Sequence, residues 1–258
     1  MNQEQAIQEM IEAGRRLDRL GYVPATDGNL SVRLTPREIV ATVSGVKKGL
    51  LTTRDFTVID PDGKPLRGGA AVSTEIRMHL RIYAERPDAF AVVHAHPPTA
   101  TGFAVAGIPL GQCVLPEVVA TIGSVPLAPY ATPSTDQLPD SIAPFLAAHD
   151  AVLLANHGAV TFGPTLFQAL NRMETVEQFA KILFVARTLG SVNLLTSDQV
   201  EDLNAIRHRY GLQGRAATCE ARPGPPASGP APAPDPAPYA SPEIVELVLQ
   251  EVLRKLQR

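Results

Sequence analysis

Ala91-Val92-Val93-His94-Ala95-His96-Pro97 is the stretch that decides how this chain is read. Three apolar residues predict the end of a buried strand, and two imidazoles two positions apart follow it. Where the backbone stays extended, side chains at i and i+2 share a face, so both rings project to one side. Neutral imidazole is the commonest protein ligand for a metal ion. A third histidine stands in Leu154-Ala155-Asn156-His157-Gly158, again just past an apolar run and followed by glycine. Three histidines with a vacant fourth position form the donor set of a catalytic zinc site, because the vacancy admits a substrate oxygen. The competing reading is that the rings are exposed or satisfied in a core, and His-x-His alone does not separate the two.

Upstream of this strand, Ser73-Thr74-Glu75 opens a helix expected to run from residue 74 or 75 to residue 85. Arg86-Pro87-Asp88 stops it, since proline disfavours helical backbone in the residue before it. Unpaired N–H groups at such a helix start form an anion site beside Glu75; the alternative is that the triplet merely caps the helix. An opening helix carries Ala6, Ile7, Met10, Ile11, Gly14 and Leu17 at helical intervals and is expected to end near Gly21. Short strands are expected at 29–34, 38–43 and 57–60, the last before the Pro61-Asp62-Gly63 turn, and at 89–93 and 151–154. Helices are expected at 99–106 and at 165–189, the latter with Phe167, Leu170, Met173, Val176, Phe179 and Leu183 on its apolar side. Alternating helices and strands predict an α/β domain.

With 258 residues, 45% of them hydrophobic and 19% charged, the chain can bury a substantial core. A net charge of -3 leaves no cationic excess for tracking a nucleic-acid backbone, whereas a small anionic substrate is compatible with it. Residues 1–18 contain no uninterrupted apolar run of the kind a secretory signal requires, and no stretch has the length of a membrane span. The two cysteines, Cys113 and Cys219, lie far apart, which predicts a reducing cytoplasm.

Past residue 214 the composition changes. Prolines recur with Ala, Gly and Ser between Pro223 and Pro242, and large apolar side chains are all but absent. Such a segment cannot offset its ordering entropy by burial and reads as an extended linker. Ser241-Pro242-Glu243 then supplies a cap, a first-turn proline and an early acid for a final helix. Its stripe of Ile244, Val245, Val248, Leu249, Val252, Leu253 and Leu256 demands a partner. The expected division is a domain at 1–214, a linker at 215–240 and a separate amphipathic helix at 241–258.

Over residues 1–214 the chain resembles the class II aldolases of the aldolase/adducin superfamily, most of all their L-fuculose-1-phosphate aldolase branch. The resemblance rests on the ordered motifs Thr26-Asp27-Gly28-Asn29-Leu30-Ser31-Val32-Arg33, Ser44-Gly45, Ser73-Thr74-Glu75, His94-Ala95-His96, Ala128-Pro129-Tyr130-Ala131-Thr132, Asn156-His157-Gly158 and Tyr210-Gly211-Leu212. It implies a single three-layer α/β domain with a central mixed, largely antiparallel sheet flanked by helices. It implies Zn²⁺ on His94, His96 and His157, with Glu75 as acid/base. It implies that Thr26, Gly28, Asn29, Ser44, Gly45, Ser73 and Thr74, mostly neutral donors, receive a substrate phosphate. Tyr210 would serve the aldehyde-forming oxygen from a neighbouring subunit of a cyclic homotetramer.

The implied reaction is retro-aldol cleavage of a ketose 1-phosphate to dihydroxyacetone phosphate and an aldehyde. Cys113 stands where that branch has a tyrosine, and Glu117 is a further polar candidate near the metal or else a surface residue. Ribulose-phosphate 4-epimerases, zinc dehydratases and decarboxylases share the fold, as does the non-enzymatic adducin-like module. The linker and terminal helix resemble an encapsulation peptide that docks an enzyme on a bacterial microcompartment shell. An oligomerisation helix and a membrane-surface helix are the other readings, the latter weakened by the mixed charge of its polar face.

Overall fold

The computed structural model describes residues 2–209, 211, 215 and 219–221. The terminal helix expected at 241–258, the proline-rich stretch and Tyr210 lie outside the described residues.

The chain opens with α1 (Gln3–Arg19), begun by a capping box in which Asn2 and Gln5 satisfy each other's backbone N–H groups. All six residues expected on its inner face are buried. Next come β1 (Asn29–Thr35), β2 (Glu38–Thr42), β3 (Phe56–Ile59) and β4 (Pro65–Arg67), an antiparallel meander. The helix α2 (Ile76–Glu85) leads to β5 (Ala91–Ala95), which is followed by α3 (Pro98–Val105), α4 (Pro116–Thr121), β6 (Leu127–Ala128) and α5 (Gln137–Leu146). The described chain then adds β7 (Ala151–Leu154), β8 (Gly158–Gly163), α6 (Leu166–Thr188) and α7 (Ser197–Arg209).

One eight-stranded sheet runs in the order β4-β3-β2-β1-β5-β8-β7-β6. Its pairings are antiparallel except for β6 with β7, giving the mixed, largely antiparallel sheet between helical layers that the sequence implied. The histidine strand β5 lies near the middle, between β1 and β8. Its alternation divides the core. Ala91, Val93 and Ala95 join the cluster under α1, α3 and α6, whereas Val92 joins the one under α2 and α5. Period-2 geometry therefore puts His94 on the α2 side, where Glu75 begins its helix.

Several expectations need amendment. Phe167 is 63% exposed, because a step of about 100° past buried Leu166 carries it off the inner stripe of α6. The elements β4, α4, β6, α5, β8 and α7 had not been expected; α5 was hidden by Pro139 and Pro144, which read as breakers yet lie within the helix. Cys113 and Cys219 form a disulfide, their Cα atoms 5.2 Å apart. That pairing removes the support that two separated cysteines lent to a reducing compartment.

Of the residues assigned from sequence to the linker, Arg215, Cys219 and Glu220 bond to the body and Ala221 packs against it. The Arg215 N–H donates to Asp150 Oδ2 at 2.7 Å, and Glu220 exchanges backbone bonds with Gly111 and Cys113. Among the described residues no helix is long and apolar enough to cross a membrane.

Candidate metal centre and anion cavity

His94 is held by strand pairing on both sides, opposite Asn29 of β1 and Val160 of β8. Its ring is fully buried, and Nδ1 lies 2.9 Å from the Ala159 carbonyl oxygen. A carbonyl only accepts, so Nδ1 carries the proton and Nε2 keeps a free lone pair. His96 repeats the device with Nδ1 3.3 Å from Asp27 Oδ2. The two Nε2 atoms then face one another at 3.2 Å. Two lone pairs at that distance repel, and a cation shared between them turns the repulsion into attraction.

The third ring comes from the β7–β8 hairpin. Asn156 takes a left-handed backbone, φ 57°, which asparagine tolerates, and this presents His157 to the other two. Ligand atoms of the three histidines all lie within 4.8 Å of one another. Gly158 makes the approach possible: a Cβ there would stand 2.6 Å from the Ala95 oxygen and 2.6 Å from His96 Cδ2. Gly158→Ala is therefore expected to displace the His96 ring and weaken metal binding by roughly 10- to 100-fold, measured by competition with a chromophoric chelator. An unchanged affinity would show that the ring has room to move.

Glu75 sits among these rings. Its side chain makes no capping bond at α2, so capping is not its role here. It accepts instead from Asn29 Nδ2 at 2.7 Å and lies 3.1 Å from His157 Nε2 and 3.4 Å from His94 Nε2. Burial by itself raises its pKa, but the hydrogen bond from His157, the electrostatic pull of the neighbouring His94 and His157 rings and the hydrogen bond from Asn29 outweigh that and hold it well below the ordinary carboxylate range. His157 Nδ1 is buried without a hydrogen-bond partner among the described residues, and Nε2 is the nitrogen that faces Glu75. Desolvation pushes His94 and His96 below the usual imidazole value, which keeps both rings neutral and able to ligate. Three converging nitrogens with an adjacent carboxylate fit a divalent zinc.

A cavity of about 230 Å³ adjoins this cluster. Of the residues expected to hold phosphate, Thr26, Gly28, Asn29, Ser44, Gly45 and Ser73 line it. Gly28 combines φ 71° with a site where a Cβ would lie 2.7 Å from the His94 oxygen, so only glycine fits. Thr74 is not in the lining, and its hydroxyl pairs with Ser134 Oγ at 2.6 Å. Cys113 is buried in its disulfide, and Glu117 stands exposed in the first turn of α4; neither lines the cavity.

Two charged lining residues were missed from sequence. Asp27, which orients His96, lay inside a quoted motif as a plain loop acid. Lys48, in a Lys47-Lys48 pair, looks like solvated surface charge but is buried.

The sequence matches the family described as Class II Aldolase and Adducin N-terminal domain over residues 8–184. A 3-oxo-tetronate 4-phosphate decarboxylase of Escherichia coli (strain K12) is 32% identical over 204 residues, covering 77% of this chain and 94% of that protein. An L-fuculose phosphate aldolase of Haemophilus influenzae is 30% identical, covering 83% and 98%. A solved L-fuculose 1-phosphate aldolase superposes with a TM-score of 0.75 at 32% identity, covering 82% of this chain and 98% of that one. The family match spans well over half of the sequence, and the chain accordingly belongs to the class II aldolase and adducin family.

Proposed function

We propose that this chain is a zinc-dependent lyase that reversibly cleaves a ketose 1-phosphate, with L-fuculose 1-phosphate yielding dihydroxyacetone phosphate and L-lactaldehyde as the preferred assignment. One observation carries the reading: a three-imidazole donor set, a carboxylate with no capping role and a cradle of neutral donors meet at one cavity. The fuculose phosphate aldolases among its relatives support it. Zinc held by His94, His96 and His157 would supply Lewis-acid polarisation of the substrate carbonyl.

The chain's own residues would do the rest. Ser44, Gly45, Ser73 and Asn29 anchor the phosphate and so place the scissile bond. As the C3–C4 bond breaks, its electron pair passes toward the carbonyl, and the Glu75 carboxyl, having first taken up a proton from solvent, delivers it to C3; in the aldol direction the Glu75 carboxylate removes it. The Asn29 amide fixes the carboxylate for that transfer. The proton leaving the C4 hydroxyl is assigned to Tyr210 of an adjoining subunit in a homotetramer.

A second reading is favoured by the 32% identity to a 3-oxo-tetronate 4-phosphate decarboxylase. Loss of carbon dioxide beside a carbonyl uses the same electron flow with a different leaving fragment. Incubating the zinc-loaded protein with L-fuculose 1-phosphate, L-ribulose 5-phosphate and 3-oxo-tetronate 4-phosphate decides among the alternatives. Release of dihydroxyacetone phosphate that needs metal and Glu75 supports the aldolase. Inversion at C4 without release makes it an epimerase, carbon dioxide release makes it a decarboxylase, and silence on all three points to another carbonyl substrate or to an interaction module.

The proposal extends to residues 241–258 as an encapsulation helix for a microcompartment shell, a placement that would confine a reactive aldehyde. Because Arg215, Cys219 and Glu220 bond to the body and Ala221 packs against it, the informative deletion starts at residue 222. Removing 222–258 is expected to leave turnover unchanged and to abolish co-purification with shell proteins. Loss of turnover would instead join the tail to the active site.

A further inference from the structure

Lys48 is 2% exposed and ranks among the largest fully buried side chains of the protein. Its neighbour Lys47 does what the sequence suggests for both, pairing at the surface with Asp18 at 3.4 Å. Lys48 turns inward from the 3-10 turn Lys48–Leu50 and lines the cavity. Its Nζ donates to the Thr26 carbonyl at 2.9 Å and to the Val46 carbonyl at 2.7 Å. It thereby ties together the two loops that bring Gly28-Asn29 and Ser44-Gly45 to the cavity.

An ammonium has three donors, and two carbonyls take up only two of them. Asp27 and Glu75 act on it through space, but its hydrogen-bond partners are those two neutral carbonyls. A buried cation in such a setting is costly until an anion meets it. The remainder of the cavity is rich in neutral donors, and the cavity has room for such an anion.

We propose that Lys48 is the specificity-determining charge of the site, its third N–H meeting an oxygen of the substrate phosphate, so that the cavity selects a phosphorylated sugar over its neutral counterpart. This rests on the sugar-phosphate reading above and adds to it the residue that enforces it. Burial lowers the Lys48 pKa while Asp27 and Glu75 raise it, and a bound dianion adds to the second effect.

The test is calorimetric titration of the zinc-loaded full chain with dihydroxyacetone phosphate and with dihydroxyacetone, comparing the parent with Lys48→Met and Lys48→Arg. Lys48→Met is expected to weaken dihydroxyacetone phosphate binding by roughly 10- to 100-fold, with arginine recovering part of the loss. Affinity for dihydroxyacetone should not change. If both ligands weaken alike, Lys48 only braces the loops and the proposal is overturned. Equal binding of dihydroxyacetone phosphate by parent and Lys48→Met overturns it while leaving the sugar-phosphate reading intact. A parent that binds neither dihydroxyacetone phosphate nor inorganic phosphate overturns both. Should Lys48→Met fail to fold, ¹⁵N NMR of the parent's Lys48 ammonium during addition of inorganic phosphate gives the answer. A shifted, exchange-protected signal supports the contact, and an unmoved one refutes it.

Discussion

Changing Glu75 to glutamine is expected to lower kcat for carbon–carbon cleavage by roughly 10³-fold while leaving bound zinc unchanged. Glutamine keeps nearly the same volume and still offers Asn29 Nδ2 an oxygen, so the arrangement at the start of α2 should persist. On the proposed mechanism, what it loses is the capacity to carry a proton to and from C3. The metal should stay because the three imidazoles, on strand β5, the segment just after it and the β7–β8 hairpin, supply the donor set on the proposed reading. Rates come from enzymatic detection of dihydroxyacetone phosphate, and zinc content from mass spectrometry. Deuterium exchange into dihydroxyacetone phosphate isolates the proton step, and its loss should parallel the loss of cleavage. A variant that keeps full exchange would remove Glu75 from the proton path.

Replacing Glu177 by alanine should cost about 3 kcal/mol of stability, a large folding effect for a residue outside the site. This carboxylate is fully buried on α6 and accepts from the Thr99 N–H at 3.1 and 3.0 Å and from the Ala100 N–H at 2.8 Å. Those are orphan donors of the first turn of α3, where the helix dipole also favours a negative charge. Lys181 pairs with the same carboxylate at 3.4 Å. Alanine strands the two N–H groups in a dry interior and leaves a void between α3 and α6. Glutamine should fall between the two, since its oxygen still accepts but carries no charge. Urea unfolding of the metal-free protein measures the change. Zinc affinity should fall as well, because Pro98 opens α3 directly after His96-Pro97. A stability equal to the parent's would mean that water satisfies the helix start.

Legibility from sequence followed the range of the forces involved. The strand under His94 and His96, the Ser73-Thr74-Glu75 helix start and the buried face of α1 were legible because period-2 and period-3.6 patterns and proline stops are local. The hairpin strand β8 went unread because its first residue, Gly158, looks like the end of a turn, and only the pairing of Leu154 with Gly158 reveals a strand. Composition likewise hid α5, since helix propensity is a weak prior that packing overrides at Pro139 and Pro144.

Chemistry divides along the same line. By themselves the residues determined that three imidazoles follow two apolar strands, that a carboxylate opens a helix, and that glycines stand where backbone must come close. Only the tertiary structure decided that the three imidazoles converge, that Asp27 orients one of the rings, that Cys113 joins Cys219 across 106 residues, and that Lys48 turns inward while Lys47 meets solvent. Each of those depends on contacts between segments far apart in the chain. A strand or cap is favoured by neighbours a few positions away, whereas the burial and charge of a side chain are settled by whichever distant elements the sheet brings against it.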